Sequence, residues 1–390
     1  VEEALARIAG NTYMLEATRL FTVGAVDQKI KPSIASAIAK YNMTEMSRHV
    51  LNDAFDVHAG RAIQMGPRNY IGHGHLGIPV SITVEGANIL TRNLIIFGQG
   101  AMRCHPFIRQ EIAAVNYPDA KQGYAEFDKL MCSHLGYTAS NAARTFVYGI
   151  TNGRFIKVPA QGKLAWYYRQ ISRMSTALAL ISDIAMMKLG GDLKRKERLS
   201  ARLGDILSNL YLASAVLKYF HDQAQAPEDF PYVEWCLQTC LHHIQNAFGA
   251  FFENFPNRFL AKMLSFWVFP IEHTYKHRPS DKLDHQIVET MLIDSGLRQR
   301  LGADCMMTME SSDAMGRVEI AFQRVLQTQD LERRLQQALR EGKLVKQATR
   351  EALLDAACAA NILSTVDRKQ LQEADTAVAD AIAVDEFRHE

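Results

Sequence analysis

Proline and glycine are scarce in this 390-residue chain, at 11 and 23 residues, below the usual shares of roughly 5% and 7%. So few breakers exclude a turn-rich all-β chain and favour long helices. Six cysteines without regular spacing exclude a secreted disulfide framework and suit a reducing, cytoplasmic compartment. An excess of one charge is also missing. Lys and Arg number 44 against 42 Asp and Glu, a net charge of +2. The basic face of a nucleic-acid binder is therefore not expected, nor is a nucleic-acid partner. No run reaches the ~18 apolar residues of a membrane span. The longest uncharged stretch near that length, Trp235 to Phe252, carries Gln238, His242, His243, Gln245 and Asn246 and reads as a buried helix. The chain opens on Val1 and Glu2 inside a helical pattern, with no Met and no targeting segment, and is expected to belong to something longer.

What is present is apolar periodicity of the helical kind, in a chain 48% hydrophobic and 22% charged, which excludes disorder as a class. Leu5, Ile8, Ala9 and Leu15 predict a first helix to about Thr22. Pro32 stands at a helix start, and Ile34, Ile38 and Tyr41 follow, with Gly60 as a stop. Residues 61–84 hold Gly66, Pro67, Gly72, Gly74, Gly77 and Pro79. They read as an ordered loop, with a strand-like tail over Ile78 to Val84. A helix returns at Gly86, with Ile89, Leu90, Leu94 and Phe97 on one face. Residues 108–122 read as a connector with turn chemistry at Tyr117-Pro118-Asp119. Core stripes then run through Leu164 to Ala185, closed by Gly190-Gly191, through Leu199 to Leu217, and through Leu237 to Phe251. Beyond about Ser280 shorter, more charged helices are expected. Asp367 and Gln370 are candidates for a capping box. The fold class is all-α: one helical bundle followed by a second.

Glu85-Gly86 stands where the loop meets the next helix. A Glu at a helix start is favoured by the helix dipole alone. Its flanks Ile82, Val84, Ile89 and Leu90, if they enclosed it, would raise the carboxyl toward the working range of a general base. His73-Gly74-His75 lacks a third ligand nearby, and no metal is assigned. Cys236 and Cys240, four residues apart beside Leu237, Leu241 and Ile244, read as core thiols. Lys194, Arg195, Lys196 and Arg198 read as a solvated helix start, with an anionic lipid surface or a ligand's phosphates as the alternative. The aromatics Phe248, Phe251, Phe252 and Phe255 cannot share one helical stripe. Packing between bundle helices is their first reading, and peripheral membrane contact by the 248–270 segment the second.

Residues 1–107 resemble the C-terminal helical domain of acyl-CoA dehydrogenases. The family carries Tyr-Glu-Gly-Thr with an Arg seven residues after the Glu; here Val84-Glu85-Gly86-Ala87 is followed by Arg92. The family's Gln-Ile-Phe-Gly-Gly turn is matched by Asp56-Val57-His58-Ala59-Gly60, with Gly60 25 residues before Glu85. Leu15-Glu16-Ala17-Thr18-Arg19 is similar to the preceding helix of the family. Past a connector at 108–122, residues 123–390 are similar to the C-terminal extension of bacterial long-chain members, on Gln161-Gly162-Lys163-Leu164-Ala165, Phe266-Trp267-Val268-Phe269-Pro270 and Lys276-His277-Arg278-Pro279-Ser280-Asp281.

The resemblance implies an FAD-dependent enzyme that takes acyl-CoA, long-chain by the extension, to trans-2-enoyl-CoA in the first step of fatty-acid β-oxidation. It makes Glu85 the catalytic base for the α-proton and places Gly86 at the substrate thioester. Ala59, Gly60, Ala87 and Asn88 would lie along the cofactor. It implies a homodimer, and electron-transfer flavoprotein or a similar acceptor as partner. The location would be cytoplasmic, with the inner membrane alongside. The family's N-terminal and β domains have no counterpart here, so the fragment alone is expected to be inactive. Ala87 replaces the family's Thr, and Ala59 the first Gly of its turn. An acyl-CoA oxidase is the alternative within this chemistry. A non-catalytic helical docking module is the alternative outside it.

Overall fold

The structure, a computed structural model, describes residues 1–271, 275, 277–305 and 308–385; Lys276 of the motif quoted above lies outside them. Among the described residues no strand occurs and every regular element is helical. In chain order come α1 Glu2–Asp27, α2 Ser33–His58, α3 Gly60–Ile63, α4 Gly72–Thr83 and α5 Asn88–Leu90. A π-helical segment, Thr91–Gln99, runs on into α6 Gly100–Cys104. Then follow α7 Ile108–Val115, α8 Ala120–Ile150, α9 Gly162–Leu189, α10 Asp192–Arg195, α11 Glu197–Asp222 and α12 Phe230–Asn254. The order ends with α13 Arg258–Val268, α14 Asp281–Met291, α15 Gly296–Gly302, α16 Ala314–Arg340, α17 Arg350–Ala359 and α18 Thr365–Ile382. Two compact units result: Val1–Val50 with Ile78–Val288, and Leu51–Gly77 with Glu289–Glu390.

In the first unit α11 is the hub, packing against α12, α1, α9 and the π segment. Leu199, Leu203, Ile206, Leu210, Ala213 and Leu217 form its buried stripe, and Ser200, Ala201, Ser208, Leu212, Ala215 and Val216 bury further faces, as the central helix of a bundle requires. Two glycines set how closely its neighbours approach. A Cβ on Gly204 would stand 3.4 Å from the Arg92 carbonyl of the π segment. A Cβ on Gly10 would overlap the Trp235 indole at 2.3 Å, so α1 lies flush on that ring. Cys236 donates its thiol to the Gly10 carbonyl at 3.3 Å. Cys236 and Cys240 are fully buried, as their spacing predicts, and burial pushes the Cys240 thiol up to about 12.

The aromatic stretch splits in two. Phe248, Phe251, Phe252 and Phe255 are buried and pack on one another, with Phe251 and Phe255 5.4 Å apart. On α13 only Ala261, Leu264 and Val268 are buried; Phe259, Met263 and Phe266 are exposed. Trp267 is half-buried, donates Nε1–H to the Ala142 carbonyl at 2.8 Å and packs 4.7 Å from Phe146.

In the second unit α16 and α17 pack on α18 around Leu331, Leu335, Leu344, Leu354, Leu363 and Leu371. The rim is ionic: Arg350 pairs with Glu332 at 2.7 Å and with Asp375 at 2.9 Å.

Several sequence expectations need correction. α4 occupies a stretch read as loop and strand. Its breakers are offset by a buried side chain: Asn69 Oδ1 accepts from the Ile71 and Gly72 N–H groups, and Nδ2 donates to the Ala62 and Gln64 carbonyls. Past Gly86 Asn88, Thr91, Ile96 and Phe97 are buried, while Ile89 and Leu90 are exposed. The π turn rotates the face that a 3.6-residue period predicts. The connector contains α7. α16, at 27 residues, is not short. The last capping box is Ser364 with Asp367 at its third position, one turn earlier than the pair expected.

Candidate functional site

Glu85 sits between the end of α4 and the start of α5. Its φ is +54° and that of Gly86 +99°, two successive left-handed residues. The first costs strain that only a well-held segment tolerates. The hold comes from Lys40 on α2, whose ammonium donates to the Gly86 carbonyl at 2.7 Å, to Asn88 Oδ1 at 2.7 Å and to the Ile82 carbonyl at 3.2 Å. Burial lowers the Lys40 pKa, against the fields of Glu45 and Glu85. Asn88 is buried and passes the restraint back to α2 by donating to Thr44 Oγ1 at 2.9 Å and Glu45 Oε1 at 2.8 Å.

The Glu85 carboxylate itself is exposed. Among the described residues it makes no hydrogen bond or ion pair, and the Glu85 and Gly86 N–H groups make no backbone hydrogen bond. The apolar enclosure expected around it is not formed by this chain: Val84 is 49% and Ile89 78% exposed. Ile89 and Leu90, on α5 just before the π segment, face outward. What the turn presents is an exposed carboxylate beside two N–H groups that donate no hydrogen bond among the described residues.

Arg92, seven residues on, is committed elsewhere. It forms a two-pronged pair with Asp205 of α11, Nε to Oδ1 at 2.7 Å and Nη2 to Oδ2 at 2.5 Å. The pair lines an open cleft of about 490 Å³ with Tyr41, Glu45 and His49. Burial and the Asp205 charge push the Tyr41 hydroxyl up to about 12.

The other assigned residues offer main chain. Ala59 has φ +50° and is exposed, as is Gly60. Nothing lies within 4 Å of the point where a Cβ on Gly60 would be. That open backbone fits the close approach of a bulky cofactor. Ala87 is exposed and precedes α5. The Asn88 amide is taken up by Lys40, Thr44 and Glu45, which leaves its side chain unavailable. His73 is exposed, and the His75 ring lies 4.7 Å from Phe55.

Sequence reasoning missed one cluster. His105, His134 and Asp183 bring three ligand-type atoms within 4.8 Å of one another. Asp183 Oδ1 accepts from His105 Nε2 at 2.7 Å, and Oδ2 accepts from Thr138 at 2.7 Å. His134 pairs through Nδ1 with Glu111 of α7 at 2.8 Å, with Nε2 3.6 Å from Asp183. The Phe107 and Ile108 N–H groups donate to His105 Nδ1 at 3.3 Å, which places that ring's proton on Nε2. The arrangement is a hydrogen-bonded clamp joining α7, α8 and α9. Burial would raise the Asp183 carboxyl, but the bonds from His105 and Thr138 and the two imidazoles hold it below its usual range. The signals were an acid, Asp183, amid the apolar stripe of α9, and His134 and Thr138 four apart on α8.

This fold is an all-helical bundle, and comparison with known proteins places it. Over 74% of its length the chain superposes on an acyl-CoA dehydrogenase complexed with FAD from Bacillus anthracis, with a TM-score of 0.53 and 14% identity. That likeness shows the fold, and the chain spans 47% of that protein's length. Residues 102–387 match the family model described as acyl-CoA dehydrogenase, C-terminal, bacterial type. The chain belongs to that family. Glu85 precedes the matched residues.

Proposed function

We propose that the chain is the C-terminal portion of an FAD-dependent acyl-CoA dehydrogenase that converts acyl-CoA thioesters, long-chain ones foremost, to trans-2-enoyl-CoA. In this reading a C-terminal dehydrogenase domain over 1–107 leads through 108–122 into the extension at 123–390. Glu85 removes the α-proton. The observation that carries the reading is the Glu85-Gly86 turn: an unpaired carboxylate and two unpaired N–H groups on a segment anchored by Lys40. A carbonyl oxygen set on those N–H groups gains stabilisation as its enolate charge develops, which lowers the barrier to proton loss at the adjacent carbon. The carboxylate beside them accepts that proton. Main chain at Ala59, Gly60, Ala87 and Asn88 would hold FAD, which when bound supplies the acceptor for the β-hydrogen. Family membership supports the reaction class.

The test is Glu85→Gln in the full-length protein. The variant is expected to retain FAD and melt normally while turnover falls by roughly 10²–10⁴. Near-normal turnover would remove Glu85 from the mechanism.

A second reading concerns location. Phe259, Met263 and Phe266 are exposed on α13 at i, i+4 and i+7, with the exposed cations Arg258 and Lys262 beside them. Among the described residues no helix is long and apolar enough to cross a membrane. A one-sided stripe with flanking cations suits an anionic bilayer surface. Phe259→Ser with Phe266→Ser should leave the melting temperature unchanged and weaken sedimentation with anionic liposomes. Unchanged sedimentation would confine the stripe to protein contacts.

A further inference from the structure

We infer that Lys40 is a positioning residue for proton abstraction, acting through the backbone of the Glu85-Gly86 turn. The inference rests on the reading of Glu85 as base. One ammonium has three hydrogens, and all three are directed into this turn: to the Ile82 carbonyl in the last turn of α4, to Gly86 O, and to Asn88 Oδ1 at the start of α5. Ile82 O belongs to the carbonyls a helix leaves unpaired at its C-terminus, where a cation is favoured. Lys40 thus ties the end of one helix to the start of the next across the strained segment between them.

The rest of the turn has little to hold it. Glu85 is exposed and left-handed, and its side chain makes no hydrogen bond or ion pair among the described residues. Among the described residues the one further polar contact at Gly86 is Thr91 Oγ1 on the same carbonyl, at 3.4 Å. Asn88 cannot replace the ammonium, because its amide nitrogen is already donated to Thr44 and Glu45. Without Lys40, two carbonyls and an amide oxygen lose their strongest donor. The turn is then free to relax from left-handed geometry. That would shift the Glu85 carboxylate and its neighbouring N–H groups together. A displacement of about 1 Å at a reacting group costs on the order of 10²-fold in rate.

The experiment uses the full-length FAD-containing protein and follows flavin reduction by an acyl-CoA in single turnover. Lys40→Met fits the aliphatic path and removes the donors; Lys40→Gln keeps a polar end. Both variants are expected to hold FAD and melt near wild type. Flavin reduction should slow by about 10- to 100-fold, and the isotope effect with α-deuterated acyl-CoA should rise as proton transfer becomes limiting. Ethylammonium should recover part of the rate in Lys40→Ala. Wild-type rates and isotope effects in Lys40→Met, beside an inactive Glu85→Gln, would overturn the inference and leave the base in place. An active Glu85→Gln would overturn the reading beneath it instead. If Lys40→Met and Lys40→Gln both lost FAD or unfolded early, Lys40 would be a folding element and the inference would fall.

Discussion

Asp183 illustrates how much a single buried acid can tie together. Its two carboxylate oxygens serve His105 and Thr138, and its side chain is 1% exposed. Its carboxyl is held below the usual 3.8, so the stability it contributes is present above its unfolded pKa. That contribution is lost as pH falls through the folded value. Asp183→Asn should therefore cost about 1–3 kcal/mol near neutral pH. The gap between wild type and variant should be full above about pH 4 and narrow as pH falls further, through the folded value. Urea melts at about pH 7 and in a series of acidic steps below about pH 4 would show it, and a gap unchanged across the whole series would mean that the carboxylate charge is idle. No sequence pattern marks this site as a unit, because residues 105, 111, 134 and 183 meet only in three dimensions. Lys40 was hidden in the same way, as one polar residue on a helix whose apolar neighbours fixed its reading.

At the scale of elements, helix existence was legible and helix orientation less so. α9, α11 and α12 bury the stripes their periodicity gives, and Gly190, at φ +49°, closes α9 as a glycine there should. α4 was illegible because its glycines and Pro79 outvote local propensity, and the Asn69 side chain that supports it acts from outside the helix. The π segment was illegible because one extra residue in a turn rotates everything after it. Close approach is equally invisible in a sequence. Gly10 in α1 looks replaceable by the better helix former, yet a Cβ would meet Trp235. Gly10→Ala is expected to destabilise by about 1–3 kcal/mol through overpacking. A melting temperature at or above wild type would show that α1 and α12 yield at no cost.

For the whole molecule, all-α architecture followed from what the composition withholds, and the family followed from the bundle and its match. In the proposed reading the chemistry is divided between what this chain offers and what the rest of the enzyme would supply. Residues 1–390 provide main chain at Ala59, Gly60, Ala87 and Asn88 but no enclosing flavin pocket in this reading. The purified chain is therefore expected to be colourless after desalting. A yellow, stoichiometric flavin complex of residues 1–390 would show that the chain holds the cofactor unaided.

The central claim is that the Glu85 carboxylate takes the α-proton, and it can be tested apart from electron transfer. The full-length protein would be incubated with acyl-CoA in D₂O without an electron acceptor, and the recovered thioester analysed by mass spectrometry. Wild type should wash deuterium into the α-carbon. Glu85→Gln, still carrying FAD, should leave that carbon unlabelled over the same period. Equal α-deuteration by both proteins would contradict the account.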